Sequence, residues 1–395
     1  MNLINELILD FKKEFQKDAY EKTEVFFAPG RVNLIGEHID YNGGKVFPCA
    51  LDFGTYAVVT KREDNKFRMF SKNFENIGML EFSLNNLVFD KEDDWANYPK
   101  GVIGTFINSE FNITHGLDIL FFGNIPNGAG LSSSASIEVL TSVILKSIFN
   151  LDINMINMVK LSQKAENEFI GVNCGIMDQF SIGMGKENNA ILLDCDSLEY
   201  SYAPFILDNI SIVIANTNKR RGLGDSKYNE RRASCENALS ELKENNINIS
   251  SLCDMSFEEF EKYNHLISSD ENKKRVKHAV TENERVLKAM EALSNNDINT
   301  FGLLMNQSHI SLKNDYEVTG IELDSLVEAS WEENGVIGSR MTGAGFGGCT
   351  VSLVKNEYID SFIENVGNKY FEKTNLKADF YIAKPGEGAR KLGDF

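Results

Sequence analysis

The stretch LDILFFGNIPNGAGLSSSASIEVL, residues 117–140, decides the fold. Its apolar start, Leu117 to Phe122, predicts a strand, and the Gly- and Asn-rich segment that follows predicts a tight turn. Beyond the turn, apolar residues at three- and four-residue spacing predict a helix: Ile137, Leu140, Ile144 and Ile148. A strand, a glycine turn and a helix in this order expose the N–H groups of the helix N-terminus beside the turn.

The turn itself, Asn127 to Ser136, has the composition of a phosphate-binding loop. The small residues Gly128, Ala129 and Gly130 let the backbone approach a phosphate group, and serine hydroxyls can donate to its oxygens or bind a magnesium ion. The alternative is a plain helix N-cap, a position that serine often fills. Three consecutive serines, Ser132 to Ser134, exceed what a cap needs, so we favour phosphate binding.

A second unusual segment lies upstream, APGRVNLIGEHIDYNGG at residues 28–44. Turn residues at both ends restrain its backbone, while Arg31, Glu37, His38 and Asp40 supply a dense set of donors and acceptors. Such a set suits a polyhydroxylated ligand such as a sugar. A solvated surface loop of the same composition remains the alternative.

A third segment, RMTGAGFGGC at residues 340–349, formally matches the G-x-G-x-x-G pattern. A dinucleotide fingerprint follows a strand and opens a helix, whereas this run precedes the predicted strand Thr350 to Val354. We therefore expect a loop that closes over a nucleotide or substrate. The signatures of P-loop proteins, of protein kinases and of G-x-S-x-G hydrolases do not occur in the sequence.

Helices and strands are predicted along the whole chain, which indicates an α+β protein. The first 20 residues and residues 155–169, 227–245, 270–294 and 359–371 are predicted helices. The other predicted strands are residues 25–28, 46–51, 55–61, 66–71, 191–193, 210–215 and 379–383. The length of 395 residues suits two domains, which we place at 1–205 and 206–395.

Composition excludes several classes of function. The formal charge of −18 disfavours nucleic acid and anionic membranes as partners, so a nucleotide site in this chain has to be local. The six cysteines are scattered, without metal-ligand spacing, as in a reducing compartment. Charged residues interrupt the N-terminus and no apolar run approaches a membrane span, so we expect a cytoplasmic protein without a signal peptide.

In the order in which they occur along the chain, the three segments resemble the motifs of the galacto-, homoserine, mevalonate and phosphomevalonate (GHMP) kinase family. The stretch GRVNLIGEHIDYNGG from Gly30 and the stretch CGIMDQF from Cys174 are similar to the galactokinase branch of that family. The resemblance implies a two-domain fold with a ferredoxin-like C-terminal domain and an active site between the domains. It also implies transfer of the γ-phosphoryl group of MgATP to the C1 hydroxyl of galactose, with no obligate protein partner.

The resemblance further implies a role for individual residues. Asp178 is the catalytic base, and Arg31 stabilises the transferring phosphoryl group. Ser134 and Glu166 hold magnesium. The implied sugar-binding residues are Glu37, His38, Ile39, Asp40, Gly175 and Tyr228, and the implied nucleotide-binding residues are Ser71, Gly128, Ala129, Gly130, Leu131, Ser132, Ser133 and Ser134.

Alternatives stay open at several points. Asp178 could cap a helix beginning at Gln179, and His38 could brace its own loop. The chain could phosphorylate N-acetylgalactosamine or another sugar such as arabinose, because sequence does not define the pocket around C2. A galactose sensor without turnover is disfavoured, because such relatives lack a Ser-Ala pair that is present here at Ser134-Ala135.

Overall fold

The structure is a computed structural model that describes residues 3–126, 130–219 and 224–395, with side chains in the last range from residue 227 onward. Its strands are β1 (Glu24–Asn33), β2 (Lys45–Val46), β3 (Pro48–Lys61), β4 (Lys66–Ser71), β5 (Leu80–Ser83), β6 (Leu117–Gly123), β7 (Asn189–Asp194), β8 (Tyr200–Pro204), β9 (Ile210–Asn216), β10 (Val336–Thr342), β11 (Cys349–Lys355), β12 (Asp379–Ala383) and β13 (Arg390–Asp394).

The helices predicted from hydrophobic periodicity are present, together with others that the sequence did not predict. They are α1 (Leu3–Glu14), α2 (Asn97–Asn108), α3 (Ser133–Phe149), α4 (Met155–Ala165), α5 (Met177–Met184), α6 (Gly224–Glu244), α7 (Phe257–Tyr263), α8 (Asp270–Ser294), α9 (Ile298–Ser311), α10 (Gly320–Trp331) and α11 (Ile359–Thr374). Single π-helical turns, Glu166–Ile170 and Leu312–Tyr316, extend α4 and α9. In the described ranges, a helix both long enough and apolar enough to cross a membrane was not found.

The N-terminal half is built on a sheet of order β13-β1-β3-β6-β4-β5, in which β4 and β6 are parallel and the other pairs antiparallel. Helices α2, α3 and α4 cover one face through a core that includes Phe26, Phe67, Phe106 and Ile144. A smaller sheet, β2-β7-β8, lies beside it. The last strand, β13, returns from the C-terminal half to pair with β1.

One strand prediction was wrong in its boundaries. Residues 46–51 and 55–61 were expected to form two strands, whereas β3 runs without interruption from Pro48 to Lys61. The reason lies in its partner, because β1 shifts register between Pro29 and Arg31 and so accommodates the irregular middle of β3. This irregularity occurs next to Arg31, where β1 approaches the site described below.

The C-terminal half contains an antiparallel sheet of order β10-β11-β9-β12. Helices α10 and α11 share an apolar cluster with it that includes Val213, Leu326, Phe362 and Val366. This strand order, with strands numbered from β9, is 2-3-1-4, the ferredoxin-like order that was predicted. The largest apolar cluster joins residues of both halves, for example Phe47 and Phe301, whose rings lie 6.3 Å apart.

Candidate active site

All three segments singled out in the sequence line one open cleft of about 490 Å³. Residues after β1 form one wall, the start of α3 and the start of α5 form a second, and α6 with the β10–β11 turn closes the side toward the C-terminal half. The cleft therefore lies between the two halves of the chain. Of the predicted site residues, those lining it are Arg31, Glu37, His38, Asp40, Gly130, Leu131, Ser132, Ser133, Ser134, Glu166, Gly175, Asp178 and Tyr228.

Arg31 and Asp178 form a two-point ion pair in this cleft. The Arg31 Nε donates to Asp178 Oδ1 at 2.8 Å, and Nη2 donates to Oδ2 at 3.0 Å. The third guanidinium nitrogen, Nη1, donates to the carbonyl oxygen of Gly130 at 2.7 Å. This planar fork fixes the orientation of the carboxylate and ties it to the phosphate-binding loop. About a third of the Asp178 side chain, 31%, stays exposed toward the cleft.

The helix-capping alternative for Asp178 is not what the structure shows. Helix α5 begins at Met177 and its N-cap position is Ile176, so Asp178 lies inside the first turn. Its side chain is bonded across the cleft to Arg31 and also accepts from the hydroxyl of Ser132. The carboxylate is therefore held by groups from β1 and from the start of α3.

The predicted phosphate-binding loop leads into α3, which begins at Ser133. Ser132 is the N-cap residue of α3 and has φ +62°, a left-handed conformation that is uncommon for serine and concentrated at functional sites. Ser133 and Ser134 form the first turn of the helix, where N–H groups lack intrahelical partners. Gly128 and Ala129, predicted to bind the nucleotide, lie outside the described residues.

The segment Leu34–Gly44, which we call the sugar loop, is largely buried, and Asp40, Tyr41 and Gly43 within it are half-buried. Glu37 lies within it, 3% exposed, and its Oε1 accepts from the N–H of Gly343 at 2.8 Å and from the hydroxyl of Thr342 at 3.0 Å. The guanidinium of Arg340 lies 3.6 Å from the same oxygen. Glu37 therefore connects the sugar loop to the third motif as well as facing the cleft.

His38 has φ +62° and is almost fully buried, 4% exposed. Its Nδ1 lies 2.8 Å from the hydroxyl of Tyr41, and Asn42 Nδ2 donates to its carbonyl oxygen at 2.8 Å. Burial, reinforced by the neighbouring His278, lowers the pKa of His38 to about 3, so the ring is neutral near pH 7. His38 thus braces its own loop, as the alternative held, and also lines the cleft.

Asp40 lies directly beside Gly175 in the lining of the cleft. Burial, together with the charges of Glu37 and Asp178, raises the pKa of Asp40 to about 6. A Cβ atom at position 175 would come within 2.6 Å of Asp40 Oδ2, so glycine is required there for the approach. The ring of Tyr228 lies 5.6 Å from that of His38, and burial, followed by the Asp40 charge, raises its pKa.

Glu166 stands at the junction of α4 and its π-helical turn, and is 6% exposed. Its Oε2 accepts from Gln179 Nε2 at 2.6 Å and from the thiol of Cys174 at 3.2 Å. Burial raises the pKa of Glu166, and the nearby Ser134 hydroxyl opposes this effect. A carboxylate and a hydroxyl that meet at the phosphate-binding loop are the oxygen ligands that Mg²⁺ prefers.

Of the predicted site residues that the structure describes, two do not line the cleft. Ser71 ends β4 and is buried, and its hydroxyl accepts from the N–H of Asn73 at 3.2 Å. Ile39 is fully buried in the apolar cluster that joins the two halves. Both were assigned through the family resemblance, and their roles stay predictions.

Sequence reasoning missed the aromatic wall behind His38. The hydroxyls of Tyr41 and Tyr316 lie 2.8 Å apart, and the Tyr316 ring lies 4.8 Å from that of His38. Tyr41 lies in the segment 28–44 and was available as a signal, whereas Tyr316 lies outside the three motifs, in the π-helical turn that extends α9. Phe346 in the β10–β11 turn was also missed, although its φ of +57° and its place among glycines single it out.

Comparison with known proteins identifies the family. The galactokinase galactose-binding signature matches residues 9–61, the GHMP kinase N-terminal domain matches residues 97–186, and the GHMP kinase C-terminal domain matches residues 289–373. The chain is 66% identical to a galactokinase of Fusobacterium nucleatum over 99% of this chain and 100% of the relative. It is 57% identical to a galactokinase of Bacillus subtilis over 94% of this chain and 95% of that protein.

This chain belongs to the galactokinase family. It is accordingly a sugar kinase, and a kinase of this family uses ATP as its co-substrate.

A solved structure of Lactococcus lactis galactokinase, complexed with galactose, superposes on this chain with a TM-score of 0.94 at 44% identity, covering 99% of this chain and 100% of that one. The mevalonate kinase of Methanococcus jannaschii superposes with a TM-score of 0.68 at 18% identity, covering 94% of this chain and 100% of that one, which shows a shared fold. The predicted two-domain GHMP kinase fold is confirmed.

Proposed function

We propose that this galactokinase-family chain transfers the γ-phosphoryl group of ATP to the C1 hydroxyl of galactose, giving α-D-galactose 1-phosphate and ADP, through Asp178 and Arg31. The observation that carries the proposal is their two-point ion pair between the sugar loop and the phosphate-binding loop. An acceptor hydroxyl and a phosphate group would meet at this junction. The galactose bound to the Lactococcus lactis relative supports galactose as the acceptor.

In the proposed mechanism, Asp178 accepts the proton of the C1 hydroxyl as the new O–P bond forms. A sugar hydroxyl is a weak acid, so proton transfer has to accompany bond formation. Arg31 and Ser132 hold the carboxylate in one orientation. Phosphoryl transfer depends mainly on positioning and charge neutralisation, and the Arg31 guanidinium supplies positive charge beside the transferring group.

The proposed sugar contacts come from the sugar loop and its surroundings. Glu37 and Asp40 offer acceptor oxygens to sugar hydroxyls. A neutral His38 ring offers one donor and one acceptor nitrogen, consistent with its lowered pKa. Gly175 and Tyr228 complete the proposed pocket, and Ile39 supports it from the core.

Magnesium is proposed to bind at Ser134 and Glu166, where a hydroxyl and a carboxylate provide hard oxygen ligands. When bound, the ion would neutralise charge on the ATP phosphates. The nucleotide itself is proposed to bind to Ser71 and to the loop from Gly128 to Ser134. Gln179 and Cys174 orient the Glu166 carboxylate through hydrogen bonds.

We further propose a cytoplasmic enzyme that acts without an obligate protein partner. The formal charge of −18 argues against nucleic acid and anionic lipid as partners. We retain the domain division at residue 205, which falls between the end of β8 at Pro204 and the start of β9 at Ile210.

A coupled ADP-release assay tests the proposal with galactose, N-acetylgalactosamine, glucose and arabinose as acceptors. We expect rapid ADP release with galactose, and phosphorus NMR should show that the product carries its phosphate at C1. Faster turnover of N-acetylgalactosamine would reassign the substrate. Binding of galactose and ATP without ADP release would identify a sensor.

A further inference from the structure

Helix α8 of the C-terminal half binds the backbone of the sugar loop through two side chains. The Nε2 of His278 lies 3.0 Å from the carbonyl oxygen of Glu37, and the Oε1 of Glu282 accepts from the N–H of Gly36 at 3.0 Å. These two residues are four apart in a helix and so project from the same face. His278 holds the carbonyl group of Glu37, the first predicted sugar ligand, and Glu282 holds the N–H group of Gly36, the residue before it.

Glu282 is itself held rigidly. It is fully buried, and its carboxylate accepts from the hydroxyl of Ser308 at 2.5 Å and from Arg285 Nε at 2.7 Å. Burial raises the pKa of Glu282, but the charges of Arg285 and Arg340 and the hydrogen bond from Ser308 oppose it, and the pKa is lowered to about 2. A charged, fully partnered carboxylate therefore accepts the Gly36 N–H, which makes this a strong hydrogen bond.

His278 is also fully buried and held on both sides. Its Nδ1 lies 2.9 Å from the hydroxyl of Ser311, and its ring lies 4.6 Å from that of Tyr316. Burial lowers the pKa of His278 to about 4, so the ring is neutral near pH 7. Because a carbonyl oxygen only accepts, the single ring proton has to be on Nε2, where it donates to Glu37.

The sugar loop needs such support because His38, next to Glu37, has a left-handed backbone conformation that costs energy for a residue other than glycine. Gly36 has φ +102° and His38 has φ +62°, so the chain enters the left-handed region on both sides of Glu37. A Cβ atom on Gly36 would lie 3.0 Å from Val286 Cγ2, which shows how closely α8 packs against the loop. Backbone conformations of this kind persist only where surrounding contacts hold them.

We propose that His278 and Glu282 are positioning residues that set the affinity for galactose by fixing the backbone of the sugar loop. The proposal rests on the proposed function, because it assumes that Glu37, His38 and Asp40 bind the sugar. It assigns to α8 a role in sugar binding without contact to the sugar. We expect ATP to bind on the α3 side of the cleft, so replacing either residue should change the KM for ATP little.

The test compares His278→Ala and Glu282→Ala with His278→Gln, whose side-chain amide can restore the donor to Glu37. Tyr370→Phe is the matched control, because it also removes one buried hydrogen bond from the C-terminal half. The Tyr370 hydroxyl donates to the carbonyl oxygen of Thr217 at 2.7 Å and, among the residues that the structure describes, forms no hydrogen bond with the sugar loop. We expect the Ala variants to raise the galactose KM about tenfold or more, as loss of a buried hydrogen-bond partner does. The ATP KM should change less than about twofold, and His278→Gln should recover most of the galactose affinity.

Equal increases in both KM values, an unchanged galactose KM, or a comparable galactose defect in Tyr370→Phe would overturn the proposal. His278→Phe keeps a ring beside Tyr316 and replaces His278→Ala if that variant does not fold. Hydrogen exchange of residues 34–44 provides a readout independent of turnover, and it should accelerate in the folded His278 variants that lack the donor. A wild-type protein without galactose turnover would refute the proposed function, while unchanged exchange in this segment would separately refute the positioning role.

Discussion

Replacing Asp40 by asparagine should make the folded protein more stable and the sugar site weaker. Burial and the charges of Glu37 and Asp178 raise the pKa of Asp40 from the ordinary 3.8 to about 6, so its ionised form is disfavoured in the folded state. This difference corresponds to about 3 kcal/mol at most. Because the side chain is partly open to water in the cleft, we expect about 1–2 kcal/mol. Asn keeps the shape of the side chain without its charge.

The sign of the effect follows from proton binding. Between about pH 4 and pH 6 the folded state binds more protons at Asp40 than the unfolded state, so the free energy of unfolding falls as pH rises through this window. The destabilisation is complete above about pH 6 and absent below about pH 4. The stabilisation by Asp40→Asn should therefore appear only as the pH rises through the same window.

Urea unfolding of wild type and Asp40→Asn at pH 4.0 and pH 7.5 measures this directly. Asp208→Asn, at an exposed position between β8 and β9, serves as the control and should show little change. Galactose binding, followed by calorimetry at pH 7.5, should weaken in Asp40→Asn while ATP binding is retained. An equal gain in stability at both pH values, or a loss at pH 7.5, would refute the electrostatic reasoning.

Three further predictions test the remaining groups. Asp178→Asn should fold and bind both substrates but lower kcat by about 10²- to 10⁴-fold, because Asn does not accept the hydroxyl proton; wild-type turnover would exclude Asp178 as the base. Glu166→Gln should raise the magnesium concentration needed for half-maximal activity while leaving galactose binding without nucleotide nearly intact, and an unchanged magnesium titration would remove it from the metal site. Gly175→Ala, whose added Cβ would lie 2.6 Å from Asp40 Oδ2, should weaken galactose binding more than ATP binding, and equal losses would indicate general damage to the fold.

Much of the fold followed from local sequence patterns. Residues 270–294 and 66–71 were predicted with the bounds that α8 and β4 have. The strand before the glycine-rich segment and the helix after it, β6 and α3, also formed as predicted. These patterns succeed because hydrophobic periodicity reports which face of a helix or strand is buried. They failed within β3, where the break expected after residue 51 is absorbed by irregular pairing with β1.

The sequence by itself determined which segments carry the chemistry, because dense polar and glycine-rich motifs are local. It did not determine how these segments meet. Arg31 and Asp178 pair across 147 positions, and His278 reaches Glu37 across 241. The family resemblance supplied a role for Arg31 and Asp178, whereas residues 270–294 were predicted only to form a helix, and the contacts of α8 with the sugar loop depend on the tertiary structure. Which buried polar group finds which partner depends on the packing of distant elements, and packing is a property of the tertiary structure.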